Sequence, residues 1–171
     1  MTTGPAEAFL ERLEAVRARL ERLARVEPPA GALTDADEPS GERWEWGQVW
    51  AHLAEFPAYW MARIREVLAD PAGRGGREPP PFGRTTADPD RIAAIERDRH
   101  TPPERLMVRL GGDLDDLRDL TAEMSAADWE TRVHHSTLGV LDMSRVFEGF
   151  LVGHLEAHAG QLEGLLSSQG T

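Results

Sequence analysis

Apolar residues recur at steps of three and four along most of this 171-residue chain, which is the period of an amphipathic helix. The first such stretch follows Gly4-Pro5, a pair that suits a helix start, and predicts a helix over about 5–26. The second predicts a helix over about 46–69 that bends at Pro57, since proline removes one helical hydrogen bond. Their apolar positions are Phe9, Leu13, Val16, Leu20 and Leu23, then Trp46, Val49, Phe56, Trp60, Ile64 and Val67.

Residues 70–101 form a long connector after the second predicted helix. The first part, 70–87, is rich in Gly, Pro and Arg and is too interrupted for a regular element. Asp88 then begins a short predicted helix that contains Ile92 and Ile95. A connector of this length is not a tight hairpin, so we expect it to cross the molecule and cover one end.

Two further long helices are predicted in the carboxy-terminal half. Thr101 can cap the third long helix, and Ser125 to Asp128 are typical of a short capped turn after it. Either Asp142 or Ser144 can cap the fourth. The apolar positions of these helices are Leu106, Leu110, Leu114, Leu117, Leu120 and Met124, then Phe147, Leu151, Leu162 and Leu165.

No segment is predicted to form a strand, and no internal repeat of fixed period is present. Four long amphipathic helices favour an all-α fold, a four-helix bundle, and residues 1–171 have the length of one domain. Bundles build their sites in the core from side chains on facing helices. A functional site is therefore expected where polar side chains interrupt the apolar stripes.

Composition and charge exclude several classes of function. The formal net charge is -11, all nineteen basic residues are arginine without a dense basic run, and a nucleic-acid partner is therefore not expected. The chain has no cysteine, which excludes disulfides, thiolate metal sites and a catalytic thiol of its own. Charges interrupt Met1 to Leu20, and no segment approaches the ~20 apolar residues of a membrane span. We expect a cytoplasmic protein with no membrane partner.

Histidines interrupt two of the apolar stripes. His154 and His158 lie four residues apart in the last helix, so their Cβ atoms are roughly 5–6 Å apart and both rings can reach one ion. His52 interrupts the stripe of the second helix. Burying three unpaired imidazoles costs roughly 1–3 kcal/mol each, and a shared metal would satisfy all three. The alternative, that each is an ordinary hydrogen-bonded core histidine, stays open at this point.

Other metal and nucleotide motifs are excluded. A di-iron carboxylate bundle needs Glu-x-x-His pairs, and no glutamate here is followed by histidine three residues later. The chain also has no HExxH, no GxSxG, no P-loop and no dinucleotide-binding glycine pattern. A mononuclear site with an open position is the metal chemistry that remains.

Three segments carry a resemblance to a known family. They are Ala51-His52-Leu53-Ala54-Glu55, Leu138-Gly139, and Gly153-His154-Leu155-Glu156-Ala157-His158-Ala159-Gly160-Gln161-Leu162. These segments resemble the DinB-like superfamily, and the similarity spans nearly the whole chain. The resemblance implies a four-helix bundle of up-down-down-up order and frequent homodimers. It also implies a divalent metal, most often zinc or nickel, with His52, His154 and His158 as its ligands.

The same resemblance suggests an activity. Some members of the superfamily use a low-molecular-weight thiol such as mycothiol, as maleylpyruvate isomerases or thiol S-transferases. The isomerase-type members resemble a Glu-x-x-x-His pattern in the last helix, where this chain has histidine at both positions. This difference favours the transferase-like members or the members without a known activity. The leading hypothesis is a metal-dependent transferase that activates such a thiol towards an electrophilic small molecule. The alternatives are a non-catalytic metal-binding module for stress response or interaction, and a metal-assisted hydrolase.

Several residues near the histidines are secondary candidates. Gln161 and Glu55 lie within one helical turn of a predicted ligand and could orient it through the second ring nitrogen, or could equally belong to a solvated helix face. Three connector arginines could contact an anionic substrate, although surface ion pairs are the simpler interpretation. These are Arg84, Arg97 and Arg99.

The remaining aromatic and histidine side chains are expected to have structural or solvent-facing positions. Trp46, Trp50, Tyr59 and Trp60 are interpreted as core or dimer-interface packing, with a pocket wall as the second possibility. His100, His134 and His135 are expected to face solvent, with His135 closest to the site.

Overall fold

The computed structural model describes residues 4–37, 40–70 and 78–167. Most of these residues are helical, and one short two-stranded hairpin lies between two of the helices. The elements are α1 Pro5–Leu23, α2 Trp46–Leu53, α3 Phe56–Ala69, α4 Pro89–Asp98, α5 Pro103–Glu123, α6 Ala126–Glu130, β1 Arg132–His135, β2 Gly139–Asp142, α7 Met143–Phe150 and α8 Val152–Ser167.

Contacts between helices give their relative directions. Arg12 and Arg19 of α1 reach Glu156 and Glu163 of α8, so the contacts advance in the same direction and the two helices are parallel. Arg17 of α1 binds Asp115, and Phe9 stacks on Trp129 beyond the end of α5, so α5 runs antiparallel to α1. His52 of α2 meets His154 of α8, and Trp60 of α3 meets Phe150 at the end of α7. The contacts run in opposite directions along the chain, so α2 and α3 are antiparallel to the segment formed by α7 and α8. The predicted four-helix bundle of up-down-down-up order is confirmed.

The second predicted helix is interrupted rather than merely bent. It forms two helices, α2 and α3, separated by Ala54 and Glu55. Pro57 explains the break, because it has no N–H for a hydrogen bond to an earlier carbonyl and is tolerated only in the first turn of a helix. As a result, His52 lies in the last turn of α2, and Glu55 turns back towards its ring.

The last predicted helix is also divided, into α7 and α8. Leu151, at the junction, has φ −127° and ψ −99°, outside the helical region. Gly153 lies so close to the carbonyl of Glu148 that a Cβ at this position would overlap it. The glycine therefore allows the tight junction that precedes His154.

A two-stranded antiparallel hairpin lies between α6 and α7, where no strand was predicted. It pairs Arg132 with Asp142 and His135 with Gly139, and Gly139 has φ +73°, a conformation suited to glycine in a turn. Each strand has only four residues, too few for an alternating pattern to stand out in the sequence.

The connector crosses the molecule as predicted, and its described part covers the end of the bundle near His52. Helix α4 packs on α2, where Gly47 approaches the carbonyl of Arg99 so closely that a Cβ would overlap it. Further back, Phe82 is buried and its N–H donates to the carbonyl of His134. The connector is thus held on α2 at one end and on β1 at the other.

Helix caps follow the sequence in three of four cases. The side chains of Asp88, Ser125 and Asp142 each accept a hydrogen bond from a backbone N–H in the first turn of α4, α6 and α7. Thr101 does not cap α5, whose N-cap position is occupied by Pro102. Helix α1 ends at Leu23, three residues before the predicted end.

The tryptophans at 46, 50 and 60 are buried in the core, as one of the two interpretations predicted, and Tyr59 packs against its edge. Within the described residues, no helix has the length and apolar character needed to cross a membrane.

Leu117→Ala tests the core assignment. Leu117 is fully buried in α5, so its truncation should lower the free energy of unfolding by about 2–5 kcal/mol. Val108 lies on the same helix with 80% of its surface exposed, and Val108→Ala should change stability by less than about 0.5 kcal/mol. Urea unfolding followed by circular dichroism measures both, and equal losses for the two variants would contradict the packing.

Candidate metal centre

The three predicted histidines converge in the bundle. The Nε2 atom of His154 lies 3.0 Å from Nε2 of His52 and 3.0 Å from Nε2 of His158. All three candidate ligand atoms lie within 4.8 Å of one another. His52 and His158 are buried and His154 is partly buried. Two facing helices, α2 and α8, therefore bring three ring nitrogens to one point.

Hydrogen bonds on the far side of two rings fix their orientation. Nδ1 of His52 donates to Oε1 of Glu55 at 2.7 Å, and Nδ1 of His158 donates to Oε1 of Gln161 at 2.7 Å. Because these oxygens accept, both rings carry their proton on Nδ1 and turn an unprotonated Nε2 to the centre. The predicted orienting contacts of Glu55 and Gln161 are present.

A further layer supports Glu55. Its Oε2 accepts a hydrogen bond from Arg84 at 2.5 Å, and the guanidinium carbon of Arg84 lies 4.0 Å from the centre of the Tyr59 ring. Glu55 and Arg84 are both almost fully buried. Burial raises the pKa of Glu55, while the hydrogen bond from Arg84 lowers it. This ion pair joins the connector to the residue that orients His52.

Electrostatics keep the three histidines neutral. Burial lowers the pKa of His158 to about 4 and lowers those of His52 and His154 well below the ordinary value. Around the rings, Trp44 lies edge-on to His52 and parallel to His158, and Phe56 lies edge-on to His154. Neutral imidazole is the form that binds a metal, so the surroundings favour the state that ligation needs.

The donor set fits a divalent metal ion. Lone pairs on His52 and His158 both face His154, and a proton on its Nε2 could satisfy one 3.0 Å contact but not both. A cation at the centre would satisfy all three. A tetrahedral ion with bonds of about 2.0–2.1 Å separates its ligand nitrogens by roughly 3.3 Å, close to these contacts. Three nitrogen ligands leave at least one position for a substrate or water.

A cavity of about 120 Å³ opens beside the three histidines. It is smaller than pockets for drug-sized molecules, so it suits a small ligand or one end of a larger one. A shallow groove of about 720 Å³ shares Thr34, Asp35, Asp37 and Gln161 with it. The cavity is lined by Thr34, Asp35, Asp37, Glu42, Trp44, His52, Thr86, Arg91, His154, His158 and Gln161.

The three connector arginines that were candidates for binding an anionic substrate are all engaged in ion pairs. Arg84 does not line the cavity and instead binds Glu55. Arg97 and Arg99 form ion pairs with Asp98 and Glu96, as the simpler interpretation predicted.

The three remaining histidines also differ from one another. His100 and His134 are exposed as predicted. His135 is not, since it is 4% exposed and contacts the carbonyl of Arg84 through Nε2 at 3.2 Å. Burial against Trp60 and Phe150 explains the error, because the unpredicted strand β1 turns this side chain inward.

Sequence reasoning missed several residues that line the cavity, among them Trp44 and Arg91. Trp44 lies just before α2, between the first two predicted helices, and Arg91 lies on α4. A signal for Arg91 existed: it lies four residues before Ile95, on the same helical face, whereas Ile92 is 46% exposed. Choosing Ile95 alone as the buried position would have placed Arg91 inside.

Gln161→Leu tests whether the contact to His158 tunes the centre. The substitution removes the oxygen that accepts from Nδ1, so metal affinity should fall about 10- to 100-fold. Isothermal titration of the metal-free protein with zinc measures the change. Glu163→Gln, which alters an exposed ion pair on the same helix, is the matched control. Equal affinities for Gln161→Leu and the wild type would contradict the role.

The depressed histidine pKa values predict how stability depends on pH without metal. A group with a lower pKa in the folded state binds fewer protons there, so acid favours the unfolded chain. The free energy of unfolding should fall as pH decreases from about 6.5 towards 5, by roughly 1.4 kcal/mol per unit for each titrating histidine. Urea unfolding at several pH values measures it. In the triple variant His52→Gln, His154→Gln, His158→Gln, the free energy of unfolding should depend less steeply on pH than in the wild type. The same slope in both proteins would contradict the prediction.

Comparisons with known proteins agree with the fold. The family model described as the DinB superfamily matches residues 12–162. YfiT from Bacillus subtilis, described as a probable metal-dependent hydrolase with an unusual four-helix bundle topology, superposes with a TM-score of 0.74 at 17% identity over 96% of this chain and 87% of its own. No curated protein sequence matches significantly.

Two structures of a mycothiol-dependent maleylpyruvate isomerase are also similar. They superpose with TM-scores of 0.61 and 0.62, at 18% and 17% identity, and the second carries a histidine-to-alanine substitution. The matches cover 95% of this chain but 63% of the isomerase chains, which therefore contain additional structure. At these identities the structural likeness establishes the fold, whereas the family match spans most of the sequence. The chain belongs to the DinB superfamily.

Proposed function

We propose that this protein binds one divalent metal, zinc or nickel, through His52, His154 and His158. We further propose that it is a transferase that activates a low-molecular-weight thiol of the mycothiol type towards an electrophilic small molecule. The observation that carries the metal is the convergence of three Nε2 atoms, two of them fixed as lone-pair donors. Imidazole suits zinc and nickel equally, so the ligands do not choose between them.

The shape of the site supports a thiol cosubstrate. The cavity beside the histidines holds a small reacting group, and the adjoining groove offers room for the body of a larger molecule. The chain has no cysteine, so in this proposal the sulfur comes from the cosubstrate. One of the structural neighbours is described as mycothiol-dependent.

The residues of the chain have distinct roles in this proposal. A bound divalent metal would supply a positive centre that lowers the pKa of a thiol in its open position. Glu55 and Gln161 hold two ligand rings in place, and Trp44 and Phe56 cover the rings and limit the access of water. The chain's part is thus orientation in a partly closed space.

A thiol that enters must also lose its proton. The three histidines are not the acceptors, since their Nε2 atoms are committed to the metal in this proposal. The carboxylates of Asp37 and Glu42 line the cavity and can take the proton towards solvent.

A hydrolase is the second candidate. YfiT, with the higher TM-score of the neighbours named, is described as a probable metal-dependent hydrolase. The same carboxylates could serve as the base for an attacking water, which the sequence alone did not indicate. Hydrolysis of acyl substrates without any thiol would favour this candidate, whereas thiol-conjugate formation would favour the transferase.

Metal content tests the proposal first. The wild type, purified without a polyhistidine tag and loaded with zinc or nickel, should hold one metal ion per chain. Inductively coupled plasma mass spectrometry measures this metal content. His154→Ala should lose at least 100-fold in affinity, because two ligands remain of three. His134→Ala removes an exposed histidine and is the matched control. A wild type that cannot be loaded would contradict the proposal.

Product analysis then separates the activities. The loaded protein is incubated with mycothiol and a panel of electrophiles, and with ester and amide substrates without thiol. Thiol conjugates that form with the wild type and not with His154→Ala support the transferase. A metal that only raises thermal stability, with neither product, would identify the non-catalytic binding module instead.

Assembly as a homodimer and a cytoplasmic location remain predictions of the family resemblance and the composition. Light scattering of the purified protein measures the first, with a mass of twice 18.9 kDa expected. A mass of one chain at micromolar concentration would contradict it.

A further inference from the structure

Arg91 is a buried cation on the wall of the cavity. Only 8% of its surface is exposed. One Nη atom donates to the carbonyl of Thr86 at 2.9 Å, and the guanidinium carbon lies 5.2 Å from the centre of the Trp44 ring. A guanidinium has five N–H groups, so most of its donors remain for a ligand in the cavity.

Arg91 has no ion-pair partner in the described part of the chain, which distinguishes it from the other described arginines of the connector. Among the residues that the structure describes, no carboxylate comes within ion-pair distance of it, although Glu42 and Asp37 line the same cavity. The other connector arginines that the structure describes are paired: Arg84 with Glu55, Arg97 with Asp98 and Arg99 with Glu96. Within this described part of the connector, the arginine without an ion pair is the one that lines the cavity with the three histidines.

A buried charge without a counter-ion is unfavourable. Burial lowers the pKa of Arg91, which Glu42 and Glu55 partly offset from a distance. An anion in the cavity would remove this penalty and complete the hydrogen bonds of the guanidinium. The residue is therefore prepared for a negatively charged ligand rather than for a structural ion pair.

We propose that Arg91 binds a carboxylate of the small molecule that occupies the cavity, and so positions its reacting group beside His52, His154 and His158. This inference deepens the proposed function and rests on it for the identity of the reacting centre. Trp44 connects the two parts of the site, since it lies under Arg91 and against His52 and His158. Arg91 is thus a specificity-determining residue.

Size and charge favour a carboxylate over a phosphate. The guanidinium offers a planar pair of donors that matches two carboxylate oxygens. A cavity of about 120 Å³ admits a compact group, and Asp37 and Glu42 on its wall would repel a dianion. The carboxylate can belong to the electrophile or to the thiol, and the experiment distinguishes these sources.

The first arm uses metal-free protein and a matched pair of probes. Propionate and propionamide have the same shape and differ in charge, and tryptophan fluorescence reports binding near Trp44. The wild type should bind propionate about 10- to 100-fold more tightly than propionamide. Arg91→Gln should bind both equally, and Arg97→Gln, which changes an exposed arginine of the same helix, should keep the wild-type preference.

The second arm uses cobalt-loaded protein with 3-mercaptopropionate and 3-mercaptopropionamide. The near-ultraviolet band of a thiolate bound to cobalt measures each affinity. A tenfold or greater preference for the acid, lost in Arg91→Gln, places the carboxylate on the thiol. A preference seen with propionate but not with the mercapto pair places it on the electrophile.

Equal binding of propionate and propionamide to the wild type, or a preference that survives in Arg91→Gln, overturns the inference. Should Arg91→Gln fail to fold, Arg91→Lys keeps the charge but not the planar fork, and the preference should then fall several-fold. A wild type that takes up no cobalt contradicts the proposed function, while the propionate comparison still decides the role of Arg91.

Discussion

The contact between three imidazole nitrogens at the centre of the bundle is the constraint on which the rest of the site depends. Two of them are fixed as lone-pair donors, because Glu55 and Gln161 accept the protons on the opposite ring nitrogens. Neutral rings with facing lone pairs do not satisfy one another, whereas a cation between them does. Burial also keeps water from the three ring nitrogens, so a bound metal would satisfy them and stabilise the fold at the same time.

The bundle provides this contact through two interrupted helices. The break after α2 places His52 at a helix end and lets Glu55 reach its ring, and the junction before α8 sets the position of His154. The connector then covers the site and is tied to it through Arg84, which holds the carboxylate that orients His52. The same residues therefore support the fold and the site, and a substitution in the connector should alter the orientation of the ligand histidines.

The helical period of the sequence predicted the bundle and placed three histidines on its apolar stripes, because long amphipathic stripes report which side chains face the core. The family resemblance, rather than the period, implied that the three histidines act together. The sequence did not predict that Pro57 would divide a helix instead of bending it, since the outcome depends on packing around the break. The four-residue strands carry too little pattern, and with them the burial of His135 was missed. Trp44 and Arg91 lie on segments that tertiary contacts place over the site. Trp44 is paired with Thr34, and the helix of Arg91 packs on α2.

X-ray absorption spectroscopy of the loaded protein tests the central claim most directly, because it observes the atoms bound to the metal. We expect three imidazole nitrogens at about 2.0–2.1 Å together with at least one light, exchangeable ligand. In His154→Ala the imidazole count should fall to two. A wild-type spectrum with fewer than three imidazole ligands, or one that is unchanged by this substitution, would contradict the account.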